Sequence, residues 1–243
     1  MNNLYPPQLF FLPNKVNYKQ LFIVQIFYVG IALLFNDLAN ILITEYSIIL
    51  TKTLFFVTGS IYMLMLWNLL RVFLPTKEKE IKTLFIILNI TFLASLYAAN
   101  PWIQNETGFR ERIWLFVIHI ILFGVEINVI WKCVLDLYKT GTFNAEKMWG
   151  IAALFIMIGI AFGSLYDLIC ILKPGALGIN FEQGVRNYME CLYYSFTVIG
   201  GVDPAYSDTL KIIKNIGVIE AVWNQLFVVI LVGRMLAKPT EDE

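Results

Sequence analysis

The stretch that decides the fold runs from Asn187 to Arg234: NYMECLYYSFTVIGGVDPAYSDTLKIIKNIGVIEAVWNQLFVVILVGR. It divides into three parts. Tyr188 to Phe196 is an aromatic segment of about two to three helical turns, too short to cross a hydrocarbon layer of about 30 Å. Thr197 to Val202 reads as a loop with two adjacent glycines, Gly200 and Gly201, and the turn former Asp203-Pro204 follows it. From about Thr209 to Leu236 the chain is apolar for long enough to span. A half-length helix, an irregular loop and a full-length helix make a re-entrant unit. Lipid satisfies no backbone N–H or C=O group, so irregular backbone at membrane depth must be buried in protein or line a water-filled path. The pattern predicts the architecture of an ion pore.

Composition agrees with a bilayer setting. The 243 residues are 58% hydrophobic and 15% charged, with a mean hydropathy of +0.69. A soluble domain carries about 25% charged residues, so the lipid bilayer is the expected partner. The formal net charge is zero and singles out no other; no nucleic acid is expected. Cys133, Cys170 and Cys191 all sit in apolar segments, where packing is the plainer role than redox or metal chemistry. His119 is alone, so no metal site and no cofactor are expected. No histidine cluster, nucleophile–base pair or glycine-rich phosphate loop is present, which argues against an enzyme. The N-terminal MNNLYPPQLFFLPNKVNYKQ lacks the apolar core and small-residue cleavage site of a signal peptide.

Apolar runs and polar stops predict an all-α integral membrane protein with six transmembrane helices. They cover about Tyr18 to Phe35, Ser47 to Leu74, Ile81 to Ala99, Ile113 to Tyr138 and Met148 to Leu172, and then the helix after the loop. Asn100-Pro101 and Lys173-Pro174-Gly175 are strong stops. Residues 1–147 form a four-helix N-terminal region, and residues 148–243 form a two-helix pore domain with the re-entrant pore helix and loop between helices five and six. Arg71, Lys77, Lys79 and Lys82 carry most of the positive-inside bias. That bias puts both termini in the cytoplasm and the re-entrant loop on the outer side of a multi-pass cell-membrane protein. Trp102 and Trp114 then fall at the outer interface, and Trp131 and Trp149 at the inner one.

At Leu192-Tyr193-Tyr194-Ser195-Phe196-Thr197-Val198 the chain resembles the pore helix and filter entry of the potassium-channel pore superfamily. Ile219-Glu220-Ala221-Val222, then Gln225 to Val232 and Arg234, resemble the inner helix of its bacterial members. The resemblance covers about Met148 to Ala237. It implies a homotetramer with a filter at Thr197, Val198, Ile199, Gly200, Gly201 and Val202, whose carbonyls meet K+ or Na+ as permeant ions. It also implies an acidic ring at the outer mouth from Asp203. The family's T-V-G-Y-G run is absent, and T-V-I-G-G-V-D-P stands in its place. Four stacked potassium sites are therefore not carried over, and a tight turn with no ion site is the competing reading. Voltage-gated members carry arginine at every third position of the fourth helix. Here that helix reads IWLFVIHIILFGVEINVIWKCVLDLY, without arginine, so steep voltage dependence is not expected.

Polar residues inside these runs are the remaining candidates. Glu190 in the short helix and Glu220 in the last helix either attract cations in a conduction path or brace the pore through buried hydrogen bonds. Bracing, with Glu220 reaching the short helix, is preferred. Asn224 shares a face with Glu220 and is expected at an inner cavity; Asn224 or Gln225 is also a candidate for hydrogen bonds between subunits. Gly159 and Gly163 form a small-xxx-small pair, expected to pack against the last helix. His119 and Glu126 lie seven apart on one face, where an internal polar contact is preferred to a proton or ligand site. Asn105-Glu106-Thr107 matches a weak glycosylation pattern. The expected function is a tetrameric cation channel with a non-standard filter and no arginine-bearing voltage sensor. The alternative is a non-conducting scaffold or sensor subunit that reuses the pore fold.

Overall fold

In a computed structural model the chain is all-helical. The structure describes residues 17–35, 47–73, 90, 109–139, 145–180, 184–202, 206 and 208–236, with no strand among them. Among the described residues six α-helices follow in order: α1 Tyr18–Gly30, α2 Ser47–Phe73, α3 Phe109–Lys139, α4 Ala145–Leu172, α5 Val185–Ile199 and α6 Lys211–Leu236. The expected helix at Ile81 to Ala99, Ile90 apart, lies outside the described residues. So do Asp203, Trp102, the stop at Asn100-Pro101 and the Asn105 motif.

Among the described residues four stretches are long and apolar enough to cross a bilayer: Ile49–Leu70, Arg112–Leu137, Ala145–Leu172 and Lys211–Ile230. They mark a membrane-embedded protein. Tyr18–Leu34 is a shorter apolar helix. It opens with the Asn17 side chain accepting from the Gln20 backbone N–H and closes in a π-helical turn at Ile31–Phe35. In α2 the hydroxyls of Thr53, Thr58 and Ser60 donate to carbonyls one turn back, Ile49, Leu54 and Phe56. These bonds let polar side chains sit in an apolar helix without an outside partner. α4 stops at Leu172, as the Lys173-Pro174-Gly175 sequence requires.

α4 is the hub. Two-thirds of its apolar span is buried (67%), against 11–22% for the other three. It packs on α1, α3, α5 and α6. The Gly159 and Gly163 pair faces α5, which corrects the expectation that it would meet the last helix. A Cβ at Gly163 would lie 2.6 Å from Leu192 Cδ2 and 3.2 Å from Leu192 Cα. One at Gly159 would lie 2.8 Å from Ile199 Cδ1 and 2.9 Å from Phe196 Cζ. The missing side chains are what let α5 seat against α4.

α5 also runs further than the sequence pattern predicts. Thr197, Val198 and Ile199, expected in a loop, form its last turn. The helix continues because each further residue satisfies another backbone pair in an apolar surround, and nothing before Gly200 breaks it. The Thr197 hydroxyl donates to the Tyr194 carbonyl at 2.7 Å, so this residue too is content in the helix. Gly200 keeps a helical φ of −73° as the C-cap. The turn proper comes at Gly201, whose φ of +65° is the left-handed region open to glycine. At 15 residues α5 is still about 22 Å long, short of a full crossing.

Candidate functional site

The path of α5 along α4 fixes where the chain reverses. Asn187 Nδ2 donates to Asp167 Oδ1 at 2.7 Å, and Tyr188 meets Ser164 hydroxyl to hydroxyl at 2.9 Å. Leu192 covers Gly163, and Ser195 Oγ donates to the Gly159 carbonyl at 2.8 Å. As residue numbers rise along α5 they fall along α4, so the helices are antiparallel. The end of α5 sits beside Gly159, near the middle of α4. It also sits beside the middle of α6, where Asn224 Nδ2 donates to the Ile199 carbonyl at 3.0 Å. The chain then climbs back. The Leu210 N–H donates to the Ala176 carbonyl at 2.9 Å, and Thr209 Oγ1 to the Leu177 carbonyl at 3.1 Å, both just past the end of α4. So Gly200 lies at the middle of the helix layer and Leu210 at one of its ends, where α6 begins.

Glu220 is 1% exposed. Its carboxylate accepts from Ser195 Oγ on α5 at 2.5 Å and from the Tyr166 hydroxyl on α4 at 2.6 Å. It therefore ties three helices at one level and is not open to a path through the chain. Glu190 is half-buried and accepts from the Tyr206 hydroxyl at 2.5 Å. Tyr206 rests its ring on Tyr193 and Tyr194, which ties Tyr206 to the middle of α5. Burial first, and then the Glu190 carboxylate, hold the Tyr206 hydroxyl above the usual tyrosine pKa. Asn224 is half-buried, and its amide is engaged with Ile199; Gln225 beside it is exposed.

The filter candidates divide into two groups. The carbonyls of Thr197, Val198 and Ile199 accept hydrogen bonds from Val202 N–H (3.0 Å), Gly201 N–H (3.2 Å) and Asn224. Thr197 is buried, and Val198 and Ile199 are half-buried. Gly200, Gly201 and Val202 are exposed. The structure thus brings Glu220, Ser195 and Asn224 together around the end of α5 and leaves only the last three filter candidates open.

A second polar cluster lies between the N-terminal helices and α4. Glu126 accepts from the Tyr62 hydroxyl at 2.9 Å and from Ser164 Oγ at 3.2 Å. His119 Nδ1 lies 2.5 Å from Asp167 Oδ2. His119 and Glu126 share a helix face, but each is bonded to a different partner. Ser195, Tyr166, Asp167, Asn187, Tyr62 and Tyr206 carry these networks and were not singled out from the sequence. Asp167 did carry a signal, as an acidic residue inside an apolar span; the hydroxyls did not. Among the described residues no three His, Cys, Asp or Glu side chains are grouped to hold a metal. Cys133, Cys170 and Cys191 are buried and form no disulfide.

Comparison with protein-family models, with curated proteins and with solved structures gave no match.

Proposed function

We propose that four copies of this chain surround an axis to form a cation channel of the potassium-channel pore type. Each copy contributes six membrane crossings and one re-entrant loop. The observation that carries the proposal is where α5 ends and where α6 begins: a half-length helix stops beside the middle of α4 and α6, and Leu210 stands back at the end from which that helix started. A soluble helical bundle has no use for such a half-crossing, whereas a pore needs its backbone at mid-depth. Two further features support it. The C-terminus of a helix carries a partial charge of about −0.5, so four α5 ends converging at mid-depth favour a cation. The outward side of α6 exposes Val218, Val222, Trp223, Leu226 and Val229, an apolar surface suited to lipid and neighbouring subunits.

The carbonyls of Thr197 to Ile199 are satisfied within the chain. Ions would therefore meet only Gly200, Gly201, Val202 and the acidic ring of Asp203. Such a filter is shorter and wider than a four-site potassium filter, and it discriminates weakly between K+ and Na+. With no arginine ladder on α3, conduction varies little with voltage. Liposomes holding the purified protein test the proposal through K+ and Na+ flux, together with the mass of the detergent-solubilised assembly. A folded tetramer that passes neither ion sinks it.

The second reading is a non-conducting scaffold or sensor on the same fold. The internally bonded carbonyls of Thr197 to Ile199 favour it. A tetramer without flux selects this reading, and a stable monomer sinks both.

A further inference from the structure

A cavity of about 160 Å³ lies among α1, α2, α3, α4 and α5, away from the end of α5. Its wall is mostly apolar and strongly aromatic, with Tyr28, Phe55, Tyr62 and Tyr188 around it. The rings form a continuous set. Tyr28 stacks on Phe55 at 4.6 Å and on Tyr62 at 5.5 Å between centroids, and Phe55 meets Tyr188 at 6.0 Å. Among the described residues one carboxyl group faces this aromatic set, that of Glu126, which is 5% exposed. Two hydroxyls donate to it, from Tyr62 and Ser164, and no cationic side chain bonds to it among the described residues. The imidazole in the same wall, His119, is engaged with Asp167.

We propose that this cavity is a binding site for a small organic ammonium ion with an apolar body about one ring in size. The chemistry is complementary on both counts. A buried carboxylate without a counter-charge is costly, and an ammonium group supplies that charge together with N–H donors. Aromatic faces attract the same cation, an effect that grows when water is excluded. The size is set by the void: an apolar cavity of about 150 Å³ holds one benzene ring. The site lies within one chain, so it does not depend on tetramer assembly or on conduction.

Benzylammonium is the probe, and benzyl alcohol is its neutral counterpart of equal size. Binding is read by calorimetry and by thermal unfolding of the full chain in nanodiscs. Benzylammonium binds at least tenfold more tightly than benzyl alcohol, and Glu126→Gln removes at least tenfold of that affinity. Ser60→Phe fills the cavity from α2 while leaving Glu126 and both its donors in place, and it abolishes binding. Equal binding of the two probes overturns the proposal, as does wild-type affinity in folded Glu126→Gln. If Glu126→Gln does not fold, Ser60→Phe decides: retained benzylammonium binding overturns the site.

Discussion

Removing the Glu220 carboxylate tests whether the end of α5 is held by α6. Ser195 lies within reach of two acceptors, Glu220 and the Gly159 carbonyl, so its single hydrogen keeps a partner when Glu220 is gone. Tyr166, fully buried, has no acceptor but Glu220 among the described residues. Glu220→Ala therefore strands one buried hydroxyl. Interhelical hydrogen bonds in membranes average about 0.6 kcal/mol and reach about 1.7, and a stranded buried donor sits at the upper end of that range. The truncation also opens a cavity worth about 2 kcal/mol at the low end of large-to-small changes. The sum is about 4 kcal/mol. Tyr166→Phe alone removes the donor, leaves Glu220 bonded to Ser195, and costs about 1 kcal/mol. In the double variant no hydroxyl is stranded, so its cost falls short of the sum of the two by about 1 kcal/mol. Equilibrium unfolding in mixed micelles, followed by the fluorescence of the chain's six tryptophans, measures all four corners of the cycle. Strict additivity, or a Glu220→Ala cost under about 0.5 kcal/mol, refutes the brace: on physical grounds a stranded Tyr166 must register.

Substitutions at three other positions probe the seating of the same half-helix. Gly163→Val drives a side chain into Leu192, including its Cα at 3.2 Å, and costs about 1–3 kcal/mol as overpacking; Gly124→Val, with nothing within 4 Å of its Cβ position, is the control, and the same unfolding assay compares them. Gly201→Ala forces a left-handed φ on an L-residue and costs about 1–2 kcal/mol, whereas Gly201→Asn stays closer to wild type in thermal unfolding and in any cation flux. Burial and Glu190 raise the folded pKa of Tyr206 above the unfolded value of about 10. The stability this supplies is whole below pH 10 and is lost as pH rises towards the folded value. Tyr206→Phe should therefore lose less stability than wild type between pH 10 and 11.5, and identical pH profiles would remove the Tyr206–Glu190 contact from the account.

Much of the helical frame was legible in the sequence because lipid leaves so few options. An apolar run of spanning length between polar stops has to be a helix, and α2, α3 and α4 begin and end within a few residues of where those stops stand. The end of α5 was harder. Thr197-Val198-Ile199 is a β-branched run against two glycines, which reads as extended or looped by local preference. In the folded chain the cost of freeing three more backbone pairs inside an apolar layer outweighs that preference, and the helix takes them in. The direction of the Gly159 and Gly163 face was also hidden. Spacing shows that two glycines share a face, but α5 and α6 both pack on α4, and only the packed structure shows which helix takes the groove.

The candidate site was half legible for a different reason. Between two apolar helices in lipid there is little to fix how far one slides along the other, since one leucine contact replaces another at nearly equal energy. Polar contacts do fix it. α5 is pinned at Asn187 by Asp167, at Tyr188 by Ser164, at Glu190 by Tyr206 and at Ser195 by Glu220 and Gly159. A slide of one turn breaks every one of these bonds at once and strands their buried groups. Glu190, Glu220 and Asp167 announce in the sequence that each needs a partner, because a carboxylate in an apolar helix is too costly alone. Which serine or tyrosine answers depends on register, and register is what the bonds themselves decide. The residues that set the depth of the reversal are thus individually ordinary hydroxyls, and their role exists only in the assembled helices.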